Sequence, residues 1–229
     1  MIHKNLRLIQ AEIARAAEKT GRAPEEISLV AVTKTVPVAT IQEAIRCGHN
    51  IFGENYLQEA ADKIPFCPPD VDWHFIGHLQ SNKVRQAVEL FQVIETVDRW
   101  KIAKMLDRHA RQLGRCPSVL IQVNLGREEQ KSGVLPEHLE DLLHQIGQET
   151  VLQVLGLMTM PPYFSDPEQS RPYFRKLREL SVQLARKNLF ADNTHVALSM
   201  GMSNDYTVAI EEGATIVRVG SALFGKRNS

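Results

Sequence analysis

Eight short apolar segments recur along the chain, and segments with helical spacing of apolar residues separate them. Several of the eight are continuously apolar instead of alternating, which is typical of strands covered on both faces of a sheet. Strand–helix alternation indicates parallel βαβ units, and eight strands predict a (β/α)8 TIM barrel. The segments are LVAVT (29–33), IFGE (51–54), WHFIG (73–77), QVIETV (92–97), VLIQVN (119–124), LQVLGLMT (152–159), HVALS (195–199) and TIVRVG (215–220).

An extra N-terminal helix is expected before the barrel, because Leu6, Ile9 and Ile13 share helical spacing ahead of Gly21. A doubly wound open sheet is the alternative fold. That fold is less consistent with the sequence, because TKTVP follows the first strand where a Gly-x-Gly-x-x-Gly turn would be expected. No linker is evident, so we expect residues 1–229 to form a single domain.

Charge and composition narrow the possible partners. The chain has 27 basic and 27 acidic residues and a formal net charge of zero, so nothing favours nucleic acid or an anionic membrane as the main partner. The N-terminus is too polar for a signal peptide, and no segment is long and apolar enough to cross a bilayer. Cys47, Cys67 and Cys116 are odd in number and far apart. They predict reduced thiols in a cytoplasmic protein, with no metal site.

Polar residues gather where the predicted strands end. In a (β/α)8 barrel these ends and the loops after them share one mouth, where binding and catalysis take place. The group includes one amine, one guanidinium, several hydroxyls and one glycine. Its members are Lys34, Glu54, Asn55, His78, Asn124, Met158, Thr159, Ser199, Arg218, Gly220 and Ser221.

Two glycine-containing stretches are suited to binding an anion. SMGMSND precedes a helix that Ser203 or Asn204 could cap, and VGSALFG follows the last strand. Phosphate sites in this type of barrel recur in the loops after strands seven and eight. The alternative is that the glycines only shape turns. Two such loops in the expected places favour a phosphate site.

Lys34 has two interpretations. A lysine at a strand end is most often a solvated charge. A partly buried lysine can instead have a lowered pKa, which frees its amine to attack a carbonyl. With a phosphate site across the mouth, a phosphorylated aldehyde is the matching ligand, and pyridoxal 5′-phosphate has that chemistry.

Arg218 lies on an apolar strand and requires a partner at the mouth. A heteroaromatic nitrogen would serve, and an ion pair with Glu54 or another carboxylate of the rim is the alternative. Asn55 and His78 could each contact a ligand or simply satisfy backbone groups at the start of a loop.

Several motifs together resemble the YggS/PROSC family of pyridoxal phosphate homeostasis proteins. They are AVTKTVP, FGENYLQE, WHFIGHLQSNK, KSG, GLMTMPP and LSMGMSNDYTVAIEEGATIVRVGSALFG, in one order over about residues 27–225. The resemblance implies the fold of the N-terminal barrel of alanine racemase and of other fold-type III pyridoxal phosphate enzymes.

The resemblance also implies roles for individual residues. Lys34 would form the Schiff base with pyridoxal 5′-phosphate, and Asn55 would line its ring. Arg218 would face the pyridine nitrogen. The phosphate would be bound by Ser199, by the Gly220–Ser221 turn and by the backbone at Gly201 and Met202.

The implied function is intracellular homeostasis of vitamin B6, and through it amino-acid and keto-acid balance. We expect a monomeric carrier without catalytic residues, and pyridoxal phosphate-dependent apoenzymes are the possible recipients. The alternative is a fold-type III racemase or decarboxylase. Two points favour a carrier: Lys34 is the one evident base, and the chain has no room for the C-terminal β-domain with which alanine racemase completes its site.

Overall fold

Eight parallel strands close into a barrel in a computed structural model that describes residues 1–225. Each strand pairs with its neighbour in chain order, and the last pairs with the first, so the predicted (β/α)8 barrel is confirmed. The strands are β1 Ser28–Val32, β2 Ile51–Glu54, β3 Asp72–Phe75, β4 Val93–Val97, β5 Ser118–Val123, β6 Gln153–Thr159, β7 Ala197–Met202 and β8 Ile216–Val219.

Helices follow the strands and cover the outside of the barrel. The expected N-terminal helix precedes the barrel and buries an apolar stripe that includes Leu6, Ile9 and Ile13. The helices of residues 1–225 are α1 Ile2–Glu18, α2 Val38–Arg46, α3 Leu57–Lys63, α4 Val84–Leu90, α5 Trp100–Leu113, α6 Pro136–Glu149, α7 Arg171–Ala185, α8 Tyr206–Glu211 and α9 Ser221–Phe224. None of them is both long and apolar enough to cross a membrane.

The barrel separates two apolar regions. Leu29 and Ala31 of β1 pack in the large cluster that also contains the helices, whereas Val30 belongs to a small cluster with Leu120, Met158 and Ile216. Alternate residues of a strand point to opposite faces, so the small cluster lies inside the barrel. Its few members leave space in the interior for polar side chains.

The loop after β7 is shorter than expected. Ser199, Gly201 and Met202 belong to the strand itself, which ends at Met202 and not at Ser199. Neither Ser203 nor Asn204 caps the next helix. The N-cap of α8 is Asp205, whose carboxylate accepts a hydrogen bond from the backbone N–H of Met202 and so closes a tight turn.

Gly201 is required by packing. Its φ is +89°, and a Cβ at this position would lie 2.5 Å from Cβ of Ala209 and 2.8 Å from Cα of Tyr206. The backbone of β7 therefore packs directly on α8, and this contact fixes the start of the turn at the mouth.

We expect Gly201→Ala to lower the free energy of unfolding by at least about 2 kcal/mol, because it adds a steric clash and a strained φ. Gly147→Ala is the matched control. Gly147 is exposed in α6, with nothing within 4 Å of the added Cβ, so this change should stabilise the fold by about 0.5–1 kcal/mol. Urea unfolding followed by circular dichroism measures both, and equal effects of the two substitutions would contradict the packing role.

Candidate functional site

A cavity of about 270 Å³ opens at the carboxyl ends of the strands. It combines one amine, one guanidinium, several hydroxyl and amide groups and an apolar floor. Six of the eight predicted site residues line it, namely Lys34, Asn55, Met202, Arg218, Gly220 and Ser221. Further lining residues are Val32, Ile76, Met160, Pro162, Tyr163, Phe164, Ser203, Asn204 and Asp205.

Barrel closure brings the two cationic residues together. β1 lies between β2 and β8, with Val30 in register with Arg218 and Ala31 in register with Val219. Lys34 follows β1 and is half-buried at the mouth, and Gly220 follows β8. Lys34 and Gly220, nearly 190 positions apart in the sequence, therefore lie close together, as expected for residues at one mouth of a barrel.

Arg218 is buried inside the barrel, with 3% of its surface exposed. Its Nη1 donates to the hydroxyl of Ser199 at 2.5 Å, and its Nη2 donates to the carbonyl of Thr159 at 3.0 Å. The Glu95 carboxylate lies 3.9 Å from Nη1. Arg218 is thus paired with a carboxylate, but this carboxylate is that of Glu95, which is fully buried within β4, and not that of Glu54 or of another residue at the rim.

Glu95 is the centre of a buried polar network. Its Oε2 accepts a hydrogen bond of 2.5 Å from the Ser199 hydroxyl, and its Oε1 lies 2.7 Å from Nδ1 of His74. Burial raises the pKa of Glu95, but His74, Arg218 and Ser199 outweigh this effect and hold the pKa below its usual value. The carboxylate therefore stays ionised and compensates the Arg218 cation.

Asn55 carries an acceptor that the protein does not use. Its Oδ1 is buried, and within residues 1–225 no hydrogen-bond donor reaches it. Gly77 packs against the Asn55 backbone so closely that a Cβ would lie 1.9 Å from the carbonyl oxygen. A buried polar atom without a partner costs free energy, so Oδ1 is suited to a ligand donor and does not satisfy a nearby backbone group.

Ser203 and Ser221 line the cavity where the segments after β7 and β8 meet. The Ser203 hydroxyl accepts hydrogen bonds from the backbone N–H of Gly220 at 3.2 Å and of Ala222 at 3.4 Å, and so joins the loops after β7 and β8. Ser221 is exposed and is the first residue of α9, directly after Gly220. These two loops are the predicted phosphate loops.

Two predicted phosphate residues lie outside the cavity lining. Ser199 is fully buried, and its hydroxyl bridges Glu95 and Arg218, so a phosphate contact would require this network to open. Gly201 is buried against α8. His78 does not line this cavity but lies at a neighbouring one, where its Nδ1 is 2.7 Å from the Ser132 hydroxyl.

Sequence reasoning missed the groups that support the site. His74 and Glu95 are charged or polar residues within apolar strand segments, and this was the available signal. Tyr163 also lines the cavity, but it is 81% exposed, and no pattern in the sequence around it indicates this position. Within the described part of the chain, no group of three or more His, Cys, Asp or Glu side chains is arranged to hold a metal ion.

Comparisons with known proteins agree with the fold and show the family. The family model "Alanine racemase, N-terminal domain" matches residues 5–228. A pyridoxal phosphate homeostasis protein from Aquifex aeolicus is 44% identical over 225 residues, covering 98% of this chain and 97% of the relative. The structure of PipY from Synechococcus elongatus with PLP bound superposes with a TM-score of 0.86 at 37% identity, covering 98% of this chain and all of PipY.

A more distant structure shares the fold alone. Alanine racemase from Streptomyces coelicolor superposes with a TM-score of 0.70 at 20% identity. This chain is covered to 98%, but only 59% of the racemase chain is matched.

We expect Glu95→Gln to lower the free energy of unfolding by about 3–5 kcal/mol at neutral pH, because it leaves the buried Arg218 cation without its counter-charge. Glu89→Gln, in the exposed pair with Arg85, should change it by no more than about 0.5 kcal/mol. Because the folded pKa of Glu95 is lowered, its contribution is complete above the unfolded pKa and disappears as the pH falls through the folded value. Denaturant unfolding between neutral and acidic pH should show the difference between wild type and variant shrinking in acid, and a constant difference would be contrary to this assignment.

Proposed function

Because the chain belongs to the family of pyridoxal phosphate homeostasis proteins, we propose that it binds pyridoxal 5′-phosphate in the mouth of its barrel. Its role is then intracellular homeostasis of this vitamin B6 form, and through it the balance of amino acids and keto acids. The observation that carries the proposal is one cavity that combines Lys34, Arg218 and the Gly220–Ser221 turn.

The residues of the cavity fit the chemical groups of this cofactor. Asn55 offers a buried acceptor for the ring hydroxyl, since its Oδ1 has no donor within residues 1–225. Ser203 and Ser221 offer hydroxyls for the phosphate at the two joined loops. Ile76 and Met160 supply apolar contact for the ring.

Lys34 supplies the primary amine. When bound, the cofactor provides an aldehyde with which such an amine condenses, so that a C=N bond forms and the carbonyl oxygen leaves as water. Lys34 lies in the turn after β1 and is partly exposed at the mouth, so the link could form and be hydrolysed as the cofactor enters and leaves. This reversibility is what a carrier requires.

Arg218 would face the ring nitrogen with a fixed positive charge. Burial lowers its pKa, and the charges of Glu95 and Asp205 oppose this effect. An arginine stays charged at any relevant pH and cannot accept a proton, so it favours an unprotonated ring nitrogen. Such a nitrogen stabilises negative charge on a bound amino acid poorly.

The cavity is better suited to carrying the cofactor than to amino-acid turnover. Racemisation requires bases on two faces of a substrate, and general base catalysis typically contributes about 10²–10⁴-fold. Besides Lys34, the lining residues that could act as a base are Asp205 and Tyr163. Both Asp205 oxygens already accept hydrogen bonds, from the N–H of Met202 at 2.7 Å and from the hydroxyl of Ser170 at 2.9 Å.

A racemase or decarboxylase of fold-type III is the second candidate, and Tyr163 is the observation that favours it. Its phenol lies on the loop that borders the cavity and could serve as a second base. Because 81% of Tyr163 is exposed, water would compete for any carbanion formed beside it.

Apoenzymes that depend on pyridoxal phosphate are the proposed recipients, and the proposed site of action is the cytoplasm. The three cysteines Cys47, Cys67 and Cys116 are free thiols, as expected in a reducing compartment. We further propose that residues 1–229 act as one domain and as a monomer, which sedimentation of the purified chain tests directly.

We expect Lys34→Ala to abolish the covalent link while the barrel remains folded, because Lys34 lies at the rim and not in a packed layer. Purified protein is incubated with pyridoxal 5′-phosphate, its near-visible absorbance is recorded, and borohydride reduction followed by peptide mapping identifies the modified lysine. Lys104→Ala, an exposed lysine on α5, is the matched control and should behave as wild type. A reduced adduct mapped to any other lysine would refute the role of Lys34.

We also expect no amino-acid turnover at enzyme-like rates. The protein loaded with cofactor is incubated with alanine in heavy water, and α-proton exchange, racemisation and release of carbon dioxide are followed. The Tyr163→Phe variant is measured in parallel. Rapid turnover that Tyr163→Phe abolishes would establish the second candidate in place of the carrier.

A further inference from the structure

We propose that Lys63 is a positioning residue whose buried ammonium group fixes the turn that carries Lys34. The inference rests on the proposed function for what Lys34 binds, but it concerns contacts within the chain. Lys63 is the last residue of α3 and is only 8% exposed. A lysine is rarely buried to this degree unless its charge is fully paired.

Lys63 joins the ends of two neighbouring strands. Its Nζ donates to the backbone carbonyl of Thr33, directly before Lys34, at 2.8 Å. It also donates to Oε1 of Glu54, the fully buried last residue of β2, at 2.7 Å. The same Glu54 oxygen accepts a hydrogen bond of 2.8 Å from the Thr33 hydroxyl. The residue before Lys34 is therefore held through its carbonyl and through its side chain.

The residue after Lys34 is held through Glu59. Nζ of Lys63 donates to Oε2 of Glu59 at 2.7 Å, and that oxygen also accepts the backbone N–H of Thr35 at 2.8 Å. One ammonium group thus acts on both sides of Lys34, directly at Thr33 and through one carboxylate at Thr35. Lys34 itself lines the cavity.

The backbone at Thr35 gives independent support. Its φ is +62°, a left-handed conformation that is strained for a β-branched residue. Strain of this kind persists only where surrounding contacts impose it, and it concentrates at functional sites. The hydrogen bond from Thr35 N–H to Glu59 is such a contact.

Stability alone does not account for the arrangement. Desolvation raises the pKa of Glu54 despite its hydrogen bonds to Lys63 and Thr33, and its Oε2 is buried without a partner in the described part of the chain. A buried ion pair is often no more stabilising than apolar residues of similar volume. The network instead gives a defined direction to the residue between its two anchor points.

The test compares Lys63→Met and Glu59→Ala with the exposed-lysine control Lys104→Met. Amide hydrogen exchange is measured by NMR on the unliganded chain, with the Thr33 N–H as internal reference, because it donates to the carbonyl of Gly53 across β1 and β2. We expect exchange at Thr35 to accelerate by about tenfold or more in both variants and Thr33 to remain protected.

The second measurement separates positioning from binding. The equilibrium fraction of Lys34 trapped by borohydride at a fixed pyridoxal 5′-phosphate concentration should fall by about tenfold, since small misplacements of a reacting group are costly. The affinity for pyridoxine 5′-phosphate, which has no aldehyde, should stay within about twofold of wild type.

The outcomes are distinguishable. Wild-type trapping of Lys34 in both variants, or unchanged exchange at Thr35, overturns the proposal. If Lys63→Met does not fold, Glu59→Ala decides, because the Glu59 side chain is 31% exposed and its removal leaves the Lys63–Glu54 pair in place. If the wild-type chain itself traps no pyridoxal 5′-phosphate, the proposed function fails, and exchange at Thr35 alone decides whether Lys63 holds the turn.

Discussion

The pairing of the first strand with the last is the constraint on which the site depends. β1 forms parallel ladders with both β2 and β8, and this closes the sheet. Closure places Lys34, from the start of the chain, beside Arg218 and Gly220, from its end. The ladder between β1 and β2 puts Glu54, at the end of β2, beside the turn that carries Lys34. Without closure Lys34 and Arg218 would lie at opposite edges of an open sheet.

A closed barrel must also fill its interior, and this chain fills much of it with polar groups. Arg218, Glu95, Ser199 and His74 form one hydrogen-bonded network in the part that the apolar cluster around Val30 leaves open. Burying such charges is costly unless each is paired, and here each member has a partner. The network presents one rigid cation to the cavity, with a direction set by its neighbours.

The network around Lys63 follows the same physical rule. Lys63 is buried and paired with two carboxylates, and its contacts end on backbone groups that flank Lys34. In both networks a buried charge orients a group at the cavity: Glu95 orients Arg218, and Lys63 orients the turn that carries Lys34. Part of what positions the cavity groups of this chain therefore lies in residues that do not line the cavity themselves.

Much of the architecture was determined by the sequence alone. Strand–helix alternation, eight apolar segments and the continuous apolar character of several strands predict the barrel, because periodicity and burial are local properties of the chain. The same pattern placed Lys34, Asn55, Arg218 and Ser221 at one mouth, since strand ends in a parallel barrel share one rim. The motifs in their order also identified the family.

Other features were decided only by the tertiary structure. The extent of β7 to Met202, and hence the burial of Ser199 and Gly201, depends on how that strand packs on α8. The partner of Arg218 is Glu95, more than a hundred residues away, and no spacing rule connects them. Sequence patterns report which residues face a core or a rim. Which buried charge pairs with which is fixed by distances between strands, and those exist only once the barrel has closed.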